Sequence, residues 1–322
     1  MEVAVVAYDG VFDSGLSAIL DVLDGANSMR ADLEHPPPEW RVRTVGPRRT
    51  VRTGAGHTVT TEPLAEAESA DLLIVPALAE RRPAALLDHV ASPDTAPVRR
   101  LIARSRERDT PLFTACTGTF LAAQCGVLDG RRATTTWWLA PVFRANYPAV
   151  QLEQSRMIVT CGGVTTAGAA FGHVDLALAV VHRSSPALAD LVSSYLVVDE
   201  RPSQSAYAIP SALAHHDPTI AAFERWVRAR LAEPLSIPEA ARALGVSERT
   251  LQRTTQRVIG TSPVRFVQDL RVEQASHLLK TTSLSIESIA RKVGYEHANT
   301  LRILLRDRTG RTAKTLRDRA PQ

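Results

Sequence analysis

Ile237-Pro-Glu-Ala-Ala-Arg-Ala-Leu-Gly-Val-Ser-Glu-Arg-Thr-Leu-Gln-Arg253 reads as two short helices folded against each other. Ser236 precedes it as an N-cap, and Pro238 falls in the first turn, where a missing N–H is harmless. Ala241 is small enough for a close helix crossing, Gly245 supplies the turn, Ser247 caps the second helix and Leu251 anchors it. Arg249, Gln252, Arg253 and Gln256 then fall at i, i+3, i+4 and i+7 of that second helix and share one face. Leu251 and Val258 turn the other way, while Ser247 and Thr250 stand at the helix start.

The unit is repeated. Ile237, Ala240, Ala241, Leu244 and Gly245 recur 49 residues later as Ile286, Ile289, Ala290, Val293 and Gly294. After a one-residue insertion, Leu251 recurs as Leu301 and Gly260 as Gly310. Two copies make a pair of helix-turn-helix units rather than a solenoid. Between them Pro263–Thr281, with Ser262 as N-cap, has the apolar spacing of one long connecting helix. The outward face of the second copy offers His297, Asn299, Arg302 and Arg306, with Ile303 among them.

Charge follows the same division. The first 200 residues carry 18 Arg, no Lys and 23 acidic residues, a balance of −5, whereas the remainder carries +9, for a total of +4. A basic second half with Arg and Gln on an exposed helix face points to double-stranded DNA. Those side chains match guanine and adenine edges in the major groove.

Residues about 219–319 resemble the DNA-binding domain of the AraC/XylS family of transcription regulators. The matching positions are Ser247-x-Arg249-x-Leu251-Gln252-Arg253, Gly260-x-Ser262-Pro263, Arg271-x-x-x-Ala275-x-x-Leu278-Leu279, Ile286-x-x-Ile289-Ala290 and Val293-Gly294-Tyr295. The resemblance implies DNA contact from Ser247, Arg249, Thr250, Gln252, Arg253, Gln256, His297, Asn299, Arg302 and Arg306. The chain departs from the pattern at Thr255, Leu301, Leu305, Thr309, Ala313 and Ile303. Ile303 stands where an Arg is common, so the second motif is expected to give packing and phosphate contacts more than base readout.

The first half alternates short apolar runs with helical spacing. Val3–Tyr8, Trp40–Val45, Asp71–Pro76 and Pro111–Cys116 read as strands; Leu16–Met29, Pro97–Arg108 and Thr117–Leu128 read as helices. A further helical stretch runs from Val174 past Pro186 toward Val198. This alternation predicts an α/β domain with a mostly parallel sheet flanked by helices, followed by an all-α domain with the two helix-turn-helix motifs. The expected boundaries are 1–198 for the first domain, 199–218 for a Ser-, Pro- and Asp-rich linker, and 219–322 for the second.

Pro111-Leu-Phe-Thr-Ala-Cys-Thr-Gly118 is a strand, a Cys and a Gly-containing turn into a helix, the form of a nucleophile elbow. A helix N-terminus is expected to lower the Cys116 thiol and make it the most reactive of the three cysteines. Residues 1–198 resemble the DJ-1/PfpI superfamily through Tyr8-Asp-Gly-Val-Phe-Asp-Ser14, Ile74-Val75-Pro76, the Cys116 elbow and Gly126-Val-Leu-Asp-Gly-Arg-Arg-Ala-Thr-Thr135. This domain followed by an AraC-type domain is the arrangement of GlxA-like regulators. The resemblance implies a sensor pocket of Cys116, Thr117 and Asp13, and Thr117 stands where hydrolytic relatives often place His. His173 is expected to be structural, and Cys125 and Cys161 receive no role.

The leading reading is a transcription regulator and not an enzyme. Its first domain would sense an unknown small molecule or mediate homodimerisation. The alternatives are an active amidase or isocyanide-hydratase-like enzyme with a DNA-binding tail, and a redox sensor acting through Cys116. No GxGxxG, Walker or HExxH motif occurs, so no cofactor or metal is expected. No apolar run nears the roughly 18 residues of a membrane span, and the N-terminal apolar run is too short for a signal peptide. With three cysteines and no CxxC, the expectation is a cytoplasmic protein with reduced thiols and no membrane partner.

Overall fold

Hydrophobic runs of four to six residues, rich in Val, Leu and Ile, assemble into the sheet of the first unit in the computed structural model. The model describes residues 1–199, 201, 203, 204, 214 and 217–318. The chain divides into two compact units, Met1–Gln204 and Ser205–Gln322.

The strands of the first unit are β1 (Glu2–Val6), β2 (Arg41–Gly46), β3 (Thr50–Arg52), β4 (Thr58–Thr60), β5 (Glu62–Pro63), β6 (Leu72–Val75), β7 (Leu112–Ala115), β8 (Arg132–Ala133), β9 (Gln151–Leu152), β10 (Ile158–Cys161) and β11 (Val164–Ala167). The main sheet runs β10-β11-β7-β6-β1-β2-β5. Its pairs are parallel except the β10–β11 hairpin. β6 and β7 are buried at every position, as strands covered on both faces must be.

The helices are α1 (Asp13–Met29), α2 (Pro83–Ala91), α3 (Ala96–Glu107), α4 (Gly118–Gln124), α5 (Ala140–Asn146), α6 (Gly172–Ser184) and α7 (Pro186–Leu196). The period of two along β1 sends Val3 and Val5 to one core, with Ile19 of α1, Leu176 of α6 and Val192 of α7. It sends Ala4 and Val6 to the other, with Leu86 of α2, Ile102 of α3 and Phe143 of α5. The stretch read as one helix from Val174 toward Val198 is two. Ser185 is extended (φ −156°, ψ 107°) and its hydroxyl caps the next helix at Leu188 N–H. Pro186 forces the break, because the residue before a proline is pushed out of the helical region.

The unit boundary falls inside the stretch expected as a linker, most of which lies outside the described residues. Arg201 pairs with Asp175 at 2.5 Å. Gln204 is fully buried. Its Nε2 donates to the carbonyls of Thr135 and Gln154 at 2.8 Å each, and its Oε1 accepts from Trp137 N–H at 3.2 Å.

The second unit holds α8 (Pro218–Arg228), α9 (Ile237–Ala243), α10 (Glu248–Val258), α11 (Pro263–Thr281), α12 (Ile286–Lys292), α13 (Ala298–Thr309) and α14 (Ala313–Asp318). Ser236, Ser247, Ser262 and Ser285 cap α9 to α12 in turn, each hydroxyl accepting a backbone N–H three residues on. Between α9 and α10, and between α12 and α13, the chain reverses at Gly245 (φ +68°) and Gly294 (φ +82°), a conformation that penalises any side chain. Leu251 and Val258 are buried, as are Leu301 and Leu305 in the second copy. Phe223 of α8 meets Phe266 of α11 at 5.7 Å between ring centroids.

In the first unit, Cys116 follows β7 in a left-handed conformation (φ +53°), and α4 starts two residues later. A Cβ at Gly118 would run into the backbone carbonyls of Pro76 and Val75. Gly118→Ala is therefore expected to cost about 1–3 kcal/mol, the usual penalty of overpacking against rigid backbone. An unchanged thermal midpoint for this variant contradicts that close approach.

Candidate functional site

β1, β6 and β7 run parallel, so the segments leaving them meet at one edge of the sheet. Tyr8, Pro76-Ala77-Leu78 and Cys116-Thr117 all lie there. Tyr8 Oη donates to the Pro76 carbonyl at 2.6 Å. Thr117 Oγ1 donates to Leu78 O at 2.7 Å and accepts from Leu78 N–H at 2.8 Å, so its hydroxyl is committed to backbone. Cys116 N–H donates to Ala167 O at 2.8 Å, and Thr135 Oγ1 donates to Cys116 O at 2.7 Å.

Cys116 is buried, with 4% of the residue exposed. Burial pushes its thiol up to about 11, against the backbone N–H of Thr117 and the hydroxyl of Thr136, which favour the thiolate. The expectation of a lowered thiol is thus corrected: desolvation outweighs the helix N-terminus beside Cys116. Burial and the neighbouring Cys116 likewise raise the Tyr8 hydroxyl. Thr136 Oγ1 is buried beside the thiol and has no other partner among the described residues.

His173 is fully buried at the start of α6. Its Nε2 accepts from Ala77 N–H at 3.0 Å, and its Nδ1 donates to Ala170 O at 2.6 Å. Both ring nitrogens are bound to backbone, as the structural reading expects. Burial pushes its pKa down to about 4, so the ring is neutral at pH 7. A Cβ at Gly15 of α1 would strike the same ring at 2.6 Å.

Among the described residues no hydrogen bond joins Asp13 to the thiol. Asp13 opens α1, where its carboxylate accepts from Ala55 N–H at 2.8 Å and meets His57 Nδ1 at 2.8 Å. Burial would raise it, but hydrogen bonds from Thr53, His57 and Ala55 prevail and hold it below the usual carboxylate value. Asp13 lines a surface groove with Ser14, Ser17, Asp21, Thr53 and His57. Of the three residues read as one sensor pocket, Cys116 and Thr117 are buried together, and the hydrogen bonds of Asp13 run to the 53–57 segment. The sequence reading quoted Tyr8 only as part of a motif and did not place it, Thr136 or the Ala77 N–H at this edge. Only their chain neighbourhood hinted at them, since strand-edge proximity depends on sheet order.

In the second unit Arg249, Gln252, Arg253 and Gln256 are all exposed on α10, opposite the buried Leu251 and Val258. Ser247 caps the helix and hydrogen-bonds Thr250 Oγ1 at 2.8 Å. Among the described residues neither Arg249 nor Arg253 has an ion-pair partner. His297, Asn299, Arg302 and Arg306 are exposed at and along α13, with Ile303 61% exposed among them. Thr255, one of the departures from the family pattern, is buried and bonds its hydroxyl to Leu251 O at 2.7 Å, which satisfies it within the helix.

Residues 240–319 match the family model described as "Helix-turn-helix domain". The HTH-type transcriptional regulator CdhR of Pseudomonas aeruginosa is 29% identical over 188 residues, 56% of this chain and 54% of that protein. The HTH-type transcriptional regulator GlxA of Rhizobium meliloti is 28% identical over 183 residues, 55% of this chain and 56% of that protein. The chain spans about half the length of these relatives. An AraC family transcriptional regulator from Pseudomonas putida covers 61% of this chain and 98% of its own, with a TM-score of 0.50 and 19% identity. Drosophila melanogaster DJ-1beta covers 62% of this chain and 98% of its own, with a TM-score of 0.50 and 15% identity. The first unit therefore has a DJ-1-like fold, and the second carries a helix-turn-helix domain.

Two outcomes follow for the first unit. The folded state resists a proton on His173 that the unfolded chain accepts below about pH 6.5. Stability is thus fully present above that pH and falls toward pH 4, by on the order of 3 kcal/mol from this group alone. Unfolding midpoints across pH 4–7 should fall less steeply on the acid side for His173→Gln. Native alkylation with iodoacetamide, read by mass spectrometry, should modify the partly exposed Cys161 before the buried Cys116. Faster labelling of Cys116 contradicts the raised thiol.

Proposed function

We propose that this chain is a sequence-specific regulator of transcription that binds double-stranded DNA through its second unit. The observation that carries the reading is the exposed Arg and Gln face of α10, whose Arg249 and Arg253 have no ion-pair partner among the described residues, on the second helix of a motif inside the matched helix-turn-helix region. Such a helix enters the major groove with its first turns against base edges. Arg249, Gln252, Arg253 and Gln256 read bases, and Ser247 and Thr250 hold the helix start on the backbone. His297, Asn299, Arg302 and Arg306 act mainly on phosphates, since Ile303 takes the place of a donor.

The first unit serves as the sensor of a small molecule or as the contact between two copies of the chain, and the protein works in the cytoplasm beside its DNA. A regulatory rather than catalytic role is favoured by the absence of a free base near Cys116 among the described residues. His173 has both nitrogens committed, and Thr117 has its hydroxyl committed. A nucleophilic thiol needs such a partner or a lowered pKa. The redox-sensor reading is weakened by the same burial. No helix among the described residues is long and apolar enough to cross a membrane.

Randomised-site selection with full-length protein tests the reading. Arg253→Ala should relax base preference in one half-site, each good bidentate contact being worth about 1–3 kcal/mol of discrimination. Arg306→Ala should weaken specific and random DNA about equally. If Arg306→Ala changes base preference and Arg253→Ala does not, the dominant reading helix is α13.

A further inference from the structure

The two motifs differ in one charge contact. Glu287, in the first turn of α12, reaches across to Arg302 on the outward face of α13, with Oε1 and Nη2 3.0 Å apart. Both side chains are about half exposed. The repeat places Pro238 and Gln252 at the corresponding positions of the first motif, so nothing there forms the pair. Arg249 and Arg253 stand without ion-pair partners among the described residues, whereas Arg302 is already engaged before any DNA arrives.

We infer that Glu287 is a built-in competitor for DNA phosphate, a positioning residue that holds Arg302 on the protein surface and limits how many phosphates the second motif neutralises. The inference rests on the DNA-binding reading. The physical basis is direct. An arginine must leave its carboxylate to meet a phosphate, and the uncovered carboxylate then sits near the DNA backbone, where it repels. A surface ion pair contributes little to folding, so removing it leaves the domain intact. The same weakness makes it open readily when a phosphate competes. Each phosphate a protein neutralises steepens the salt dependence of binding by about 0.9 in the logarithmic slope. Glu287→Gln keeps the side-chain shape and frees the guanidinium, so it should add one such contact.

The test uses the full chain and a random-sequence duplex, titrated at several salt concentrations. Four proteins are compared: unsubstituted, E287Q, R302A and the double variant. E287Q should bind more tightly at low salt with a slope steeper by about 0.9. Its advantage should then shrink about threefold between about 50 and about 200 mM salt. In the R302A background E287Q should gain little. An E287Q protein equal to the unsubstituted one in affinity and slope overturns the inference. So does an equal gain with and without Arg302, which would be general charge removal. If the unsubstituted chain binds no duplex at all, the DNA-binding reading falls, and this inference with it.

Discussion

The start of α4 can lie against the end of β6 only because Gly118, two residues after the left-handed Cys116, has no side chain. A Cβ there would collide with the carbonyls of Val75 and Pro76, so β6 and the start of α4 could not approach as they do. That approach places Leu78 within reach of Thr117 and Pro76 within reach of Tyr8. It also sets the position of Ala77, whose N–H fixes His173, and His173 in turn lies on Gly15 of α1. One absent methyl group thus permits the close approach of α4 to β6 at the edge that the β1–β6–β7 pairing forms. The result is a stiff, backbone-satisfied cluster around a protonated thiol. Polar groups there are spent on one another, leaving the Thr136 hydroxyl beside the sulfur as the exception.

The second unit solves the same kind of problem by repetition. Each motif joins a serine-capped helix through a positive-φ glycine to a helix anchored by buried leucine. The copies have diverged on the face that packing does not constrain. The first keeps arginine and glutamine outward; the second has isoleucine and an arginine tied to glutamate. Core positions must conserve volume, whereas an exposed position can change its chemistry at small cost to stability.

Much of this was legible in the chain because it rests on local rules. Serine caps, turn glycines and apolar spacing mark α9 to α13 in sequence, and the buried and exposed positions of α10 fall where the helical period puts them. The parallel sheet followed from alternating apolar runs and helical stretches. What escaped was set by distance. Whether Asp13 faces the thiol or the 53–57 segment depends on which backbone N–H groups lie near, and sequence does not rank those. The sign of the Cys116 shift was misread because helix-terminus position is visible in sequence and desolvation is not. The helix break at Ser185 was readable from Pro186 but was overridden by the continuous apolar pattern on both sides.

Gln204 has a practical bearing on how this chain can be divided. Its amide serves the carbonyls of Thr135 and Gln154 and the N–H of Trp137, all in the interior of the first unit. Arg201, just before it, neutralises the half-buried Asp175. A fragment trimmed at residue 198 would strip these partners away, leaving an unpaired carboxylate in α6 and bare peptide groups beside the Cys116 cluster. Buried groups left in that state are costly. The shortest self-sufficient version of the first unit therefore runs through Gln204, six residues beyond the point where the apolar pattern ends.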